Sequence, residues 1–182
     1  MNEVLKTIAN RYSCRDFSET QLTKEQIENL VNAALASPSA LNLQPWHIIV
    51  VTDKSFIDEM DATAMETGKV NNEPWYNRMM ERGGKMFYNA PCMIFIMSDG
   101  SSYATLDCGI VSQNIALAAH SMGLGSVICG MARIPLGGAK GEEYKKRLKV
   151  PEGYDFGMSV CVGYANSGKE PHELVLSKVT YV

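Results

Sequence analysis

The sequence predicts an α+β fold, and three observations carry the prediction. Two continuous apolar runs of strand length, Trp46–Thr52 and Cys92–Met97, read as buried strands. A stripe of Ile27, Leu30, Val31, Ala34 and Leu35 has the spacing of an amphipathic helix. Helices and strands then mix without the strict alternation of βαβ units. The chain has 182 residues, which corresponds to about one domain. Apolar residues make up 46% and charged residues 20%, a globular balance that excludes a disordered chain.

The elements follow in order. Residues 2–9 read as a short helix with Val4 and Ile8 on one face, and residues 11–16 as extended chain. Thr23 and Gln26 have the spacing of a capping box that opens the amphipathic helix, and Pro38 marks its end. After the first strand, Asp53 caps a helix over 54–65. From Glu66 to Ala90 the pattern breaks at Gly68, Asn71, Asn72, Pro74, Gly83 and Gly84, yet Trp75, Tyr76 and Phe87 lie inside it. A polar stretch with large aromatics reads as a lid or a partner-facing excursion. The longest helix is expected over 104–122, closed by Gly123, followed by a strand near 125–130. A charged helix over 139–148 and a fourth strand over 156–164 complete the domain. Residues 172–182 alternate apolar and polar and end extended, which suggests pairing with another subunit.

Composition narrows the function classes. A net charge of −3 offers no general attraction to nucleic acid or anionic membranes. No apolar run approaches the length that spans a bilayer, and no signal peptide is apparent. Cys14, Cys92, Cys108, Cys129 and Cys161 form no CxxC pair and read as reduced, buried thiols of a cytoplasmic protein. His47, His120 and His172 stand alone, so no metal site is expected.

Two glycine patterns are set aside on context. Gly123-Leu-Gly125 lacks a third glycine and follows a helix, whereas a dinucleotide fingerprint follows a strand. Gly163 to Lys169 matches GxxxxGK, but Glu170 stands where a phosphate loop has Ser or Thr, and Pro171 follows. No GxSxG elbow is present.

Two segments carry chemistry. In the extended stretch Arg11-Tyr12-Ser13-Cys14-Arg15, residues 11, 13 and 15 point to one side. Two guanidinium groups and a hydroxyl on one face suit a phosphate-bearing ligand, although a solvated basic strand has the same pattern. In Pro38-Ser39-Ala-Leu-Asn42-Leu-Gln44-Pro45-Trp46, two prolines fix a non-helical path between helix and strand. Ser39, Asn42 and Gln44 line that path with short polar side chains, and these can also serve only to satisfy the turn.

The order of RxSxR, an amphipathic helix and PSxxNxQPW running into an apolar strand resembles the FMN-dependent nitroreductase family. The helix Asp107–Ala119 and the turn Met122–Ser126 extend the resemblance, which covers about residues 1–130 and, more loosely, 156–167. It implies a three-layer α/β/α domain over 1–182, with a central mostly antiparallel sheet, in an intertwined homodimer holding FMN at the subunit interface. By similarity, Arg11 and Ser13 contact the FMN phosphate and ribityl chain, with Tyr12 in the same segment. Arg15 lies near the pyrimidine end, where a cation favours the negative charge of reduced flavin. Pro38, Ser39 and Asn42 come from the second subunit, and Gln44 touches the flavin or holds the turn. The backbone of Val127, Ile128, Cys129 and Gly130 faces the ring. Members of the family often carry a tail arginine at the phosphate; here only Lys169 and His172 are available.

The resemblance further implies an enzyme in which NADH or NADPH reduces FMN and a nitroaromatic, quinone or enone acceptor then takes the electrons. No side-chain nucleophile is expected, because the cofactor carries the chemistry. A flavin-binding storage or sensor protein is the alternative. The 66–90 excursion is the candidate substrate cover, with dimer wrapping the competing role, and the 168–182 tail is expected to pack on the partner subunit.

Overall fold

The computed structural model describes residues 1–182. Four strands form one antiparallel sheet: β1 (Trp46–Val51), β2 (Cys92–Ser98), β3 (Gly125–Ile128) and β4 (Asp155–Gly163), in the order β1-β2-β4-β3. β2 lies between two neighbours, with Phe95 opposite Ile49 on one side and Ser159 on the other. Its side chains alternate between two cores. Met93, Phe95 and Met97 join Phe56, Met60 and Tyr144, whereas Cys92, Ile94 and Ile96 join Leu30, Val111 and Ile115. A strand covered on both faces must be apolar at every position, which is why Cys92–Met97 reads as an unbroken run.

Each core is closed by a helical layer. On one face lie α2 (Lys24–Leu35) and α5 (Ala104–Ser121), with α1 (Glu3–Asn10) against α5. On the other lie α3 (Lys54–Val70), α6 (Arg133–Gly137) and α7 (Gly141–Leu148). The starts of the helices follow the sequence signals. The Thr23 Oγ1 accepts from the Gln26 amide at 3.2 Å, and the Gln26 side chain accepts from the Thr23 amide at 2.9 Å. Asp53 accepts from the Ser55 and Phe56 amides at 3.0 and 3.2 Å.

Several boundaries differ from the sequence expectation. The run 46–52 is not a fully buried strand: β1 is the edge of the sheet, and only Trp46 and Val51 are buried within it. The helix expected over 54–65 continues to Val70, because Ala64, Met65 and Gly68 extend its buried face. Within 66–90 a further helix, α4 (Pro74–Glu81), packs on α3. Gly68 is the reason it can: a Cβ there would sit 2.2 Å from the Trp75 ring. Met86, Phe87 and Ala90, at the end of the stretch, are wholly buried. Helix α6 escaped the sequence reading because it spans five residues, includes Pro135 and ends in Gly137. The alternating tail forms no strand within the chain; Leu174, Leu176 and Tyr181 are exposed around a short 3-10 turn. Leu106 and Ile110 of α5 also face outward.

Candidate functional site

Helix α1 ends where Arg11 turns the backbone to φ −59°, ψ 133°. The chain then runs beside the sheet. The Cys14 amide donates to the Ser126 carbonyl at 2.9 Å, Ser13 bridges Ser126 in parallel, and Phe17 bridges Ala165. Cys14 and Phe17 are buried, and this leaves Arg11, Ser13 and Arg15 on the outward side, as the extended spacing predicts. These three line a cavity of about 240 Å³ together with Tyr12, Lys169, Glu170, Pro171 and His172. An adjoining hollow of about 410 Å³ shares Tyr12, Ser13, Arg15 and Lys169 and adds Asp16, Arg82, Ser167 and Gly168. The Tyr12 hydroxyl donates to the Ser167 carbonyl at 3.1 Å and ties the tail to this wall.

The electrostatics are lopsided. Arg11, Arg15, Arg82 and Lys169 converge here, and none of them forms an ion pair. Some cations elsewhere are paired: Arg147 reaches Glu59 at 2.7 Å, and Lys145 reaches Asp155 at 3.2 Å. The Asp16 carboxylate instead accepts from the Asn166 side chain at 2.9 Å. Arg11, Arg15 and Lys169 on one cavity and Arg82 on the hollow beside it outnumber the carboxylates of the same walls, Glu170 and Asp16, and form a site for an anionic ligand.

Arg82 was missed by sequence reasoning. It caps the C-terminus of α4 and belongs to no motif; only the packing of α4 on α3 brings it to the pocket. The Gly83-Gly84 pair that follows it, with φ of +95° and +67°, marks a sharp turn and was the one local signal.

Residues 127–130 adjoin the Arg11–Arg15 strand through Ser126. Val127 and Cys129 point into the core, whereas Ile128 is partly exposed. The Cys129 amide is already used on the Ser159 carbonyl at 2.8 Å, so it has no free donor to offer. Burial pushes the Cys92 thiol up to about 12 and raises Cys14 as well, so neither is a ready thiolate.

The second motif folds elsewhere in the chain. Pro38, Ser39, Asn42 and Gln44 lie in the loop between α2 and β1 and do not line the Arg11–Lys169 cavity of the same chain. The loop is internally tied. The Ser39 hydroxyl accepts from the Gln44 amide at 2.9 Å, and the Gln44 side chain donates to Asn42 Oδ1 at 3.2 Å. The Ala40 amide reaches Asp107 on α5 at 3.3 Å.

Gly125 links the fold to the pocket. A Cβ at this position would lie 2.9 Å from both the Cβ and Sγ of Cys14. Gly125→Ala is expected to push the 11–17 strand off β3 and to cost about 1–3 kcal/mol, which urea unfolding measures.

Comparison with known proteins gives consistent results. The nitroreductase family model matches residues 8–164. A nitroreductase with bound FMN from Desulfitobacterium hafniense DCB-2 superposes with a TM-score of 0.96 at 46% identity, covering 100% of this chain and 99% of that one. A putative NADH dehydrogenase/NAD(P)H nitroreductase of Archaeoglobus fulgidus is 33% identical over 183 residues, 95% of this chain and 91% of its own. An FMN reductase (NADPH) of Bacillus subtilis is 28% identical over 189 residues, 94% of this chain and 70% of its own. With the family match, the antiparallel sheet between two helical layers and the basic pocket in agreement, the chain belongs to the nitroreductase family.

Proposed function

We propose that this chain is an FMN-dependent oxidoreductase that takes electrons from NADH or NADPH and passes them to nitroaromatic, quinone or enone-type acceptors. The observation that carries the reading is the set of four cations in no ion pair, Arg11, Arg15, Arg82 and Lys169, on the walls of two adjoining cavities. FMN fits that chemistry: its phosphate needs bidentate guanidinium donors, and its ring gains negative charge on reduction. Arg11 and Ser13 would hold the phosphate and ribityl chain, with Lys169 as a point charge in place of a tail arginine. Arg15, with Arg82 nearby, would sit toward the pyrimidine end and favour the charged, reduced form. When bound, FMN supplies the redox chemistry by accepting a hydride equivalent and releasing it to the acceptor. Donor and acceptor would use the same face in turn, which gives ping-pong kinetics.

The reading includes a homodimer with the Pro38–Gln44 loop of one subunit closing the pocket of the other. Leu41 in that loop is 90% exposed, and Leu43, Leu106, Ile110, Leu174 and Leu176 are exposed apolar residues that a partner would cover. The 168–182 tail would pack on that partner, and the 66–90 segment would cover the substrate, because Arg82 brings it to the pocket wall. A cytoplasmic setting, with one domain over the whole chain, belongs to the same reading. No helix is long and apolar enough to cross a membrane.

The test is the visible spectrum of the protein supplied with FMN, before and after anaerobic NADH or NADPH. A bound-flavin spectrum that bleaches with a nicotinamide and recovers with an added quinone is the expected result. Bound flavin that bleaches without acceptor turnover would favour storage or sensing. No bound flavin would sink the reading.

A further inference from the structure

Helix α5 carries two polar side chains that reach the end of α2 and the loop after it. Asn114 donates to the Ser37 Oγ at 2.9 Å and to the Ala33 carbonyl at 3.4 Å. Asp107, seven residues earlier, accepts from the Ala40 amide through its Oδ1 at 3.3 Å. Seven residues are two helical turns, so both contacts leave one side of α5, about 10 Å apart along its axis. Asp107 is 4% exposed, and Val111 and Ile115 between and beyond the two contacts bury the same helix in the core under the sheet. The mount is therefore rigid.

The loop on this mount is strained. Leu41, Asn42 and Gln44 have φ of +52°, +55° and +49°. Only asparagine among them takes the left-handed region readily, so such a path persists where its surroundings over-determine it. Bonds inside the loop fix its shape. The Ser39 carbonyl accepts from the Asn42 amide at 3.0 Å and the Ala40 carbonyl from the Leu43 amide at 3.1 Å, beside the two contacts made by Gln44. These bonds do not fix where the loop stands on the domain. None of residues 38–44 is buried, so apolar packing does not fix it either. From Pro38 to Gln44 the Ala40–Asp107 contact is the one hydrogen bond that leaves the loop.

Asp107 also has a purely local role open to it, since an acidic residue in the first turn of α5 suits the positive end of the helix. That role needs a charge near the helix end and no particular neighbour. The bond to Ala40 needs an acceptor at one place and no charge. The two roles separate on substitution. Asparagine keeps the Oδ1 acceptor and loses the charge, whereas alanine loses both.

From this geometry we infer that Asp107 is a positioning residue for the flavin pocket of the other subunit: through Ala40 it sets the pose of the Pro38–Gln44 loop before that loop meets its ligand. This rests on the FMN and homodimer reading, in which the loop of one chain closes the pocket of its partner. A loop already held in one pose loses little conformational freedom on binding, so the restraint is felt as ligand affinity. Asp107 thereby acts on a pocket to which its own subunit supplies only the loop.

The test pairs amide exchange with FMN titration. In the FMN-free protein, exchange of the 38–46 segment is expected to be about tenfold faster in Asp107→Ala and within about threefold of the unsubstituted protein in Asp107→Asn. FMN affinity is expected to fall about tenfold in Asp107→Ala and to stay within about threefold in Asp107→Asn. A dimer assembled from one Arg11→Ala chain and one Asp107→Ala chain is expected to keep one site of full affinity, because both defects fall in the same pocket. Two weakened sites in that dimer overturn the action across the interface. An unchanged FMN affinity in Asp107→Ala, whatever its exchange, overturns the inference while leaving the FMN reading intact. A loss of about tenfold in Asp107→Asn does the same, because the charge and not the acceptor would then matter. An unsubstituted protein that is monomeric or binds no FMN overturns both readings together.

Discussion

Arg11→Ala is expected to weaken FMN binding about 100-fold. Arg11 lines the cavity at the end of α1 and forms no ion pair within the chain. Its charge is therefore available to a ligand phosphate, and a charge-assisted bidentate contact contributes about 2–3 kcal/mol. Each 1.4 kcal/mol is about tenfold in affinity. Arg11→Lys is expected to recover only part of the loss, because an ammonium group cannot form the fork. Lys169→Ala is expected to cost about tenfold, as befits an exposed point charge. Titration of apoprotein with FMN, followed by quenching of flavin fluorescence, gives each constant. Arg133→Ala removes a guanidinium from outside this pocket and serves as the control. An Arg11→Ala affinity within threefold of the unsubstituted protein would place the phosphate elsewhere.

The largest loss of stability is expected from Phe95→Ala. Phe95 is fully buried in the central strand, with Ile49 and Ser159 beside it in the sheet. Its ring packs in the core that holds Phe56, Met60 and Tyr144. Truncating a buried phenylalanine costs about 3–5 kcal/mol, a large share of the 5–15 kcal/mol that stabilises a domain. For a chain of this size, about 4 kcal/mol lowers Tm by about 8–16 °C. Ile49→Ala, opposite it on the half-buried edge strand, is expected to cost less than half as much. Thermal unfolding without FMN measures both, which keeps ligand linkage out of the comparison. Equal losses at the two positions would contradict the assignment of β1 as an edge.

The site was legible in uneven measure. Arg11, Ser13 and Arg15 could be grouped from spacing alone because an extended chain has a two-residue period, and β3 holds these residues extended. The capping box at Thr23 and the Asp53 cap were legible for the same local reason: each is a contact within three residues. Arg82 was not legible. It lies 67 residues beyond Arg15, and its place depends on Gly68 admitting the Trp75 ring so that α4 can pack on α3.

By itself the sequence determined the helices with caps and apolar stripes, the buried strand β2 and the RxSxR face. These follow from hydrogen bonds and periodicities that span a few residues. It also carried the family resemblance, since RxSxR followed by PSxxNxQPW is a specific order. Only the tertiary structure decided that β1 is an edge, that 66–90 ends in the core, and which cations meet at the pocket. The physical reason is common to all three. Sheet order, burial and charge convergence are set by packing between residues far apart in the chain, and no local pattern records which surfaces will meet.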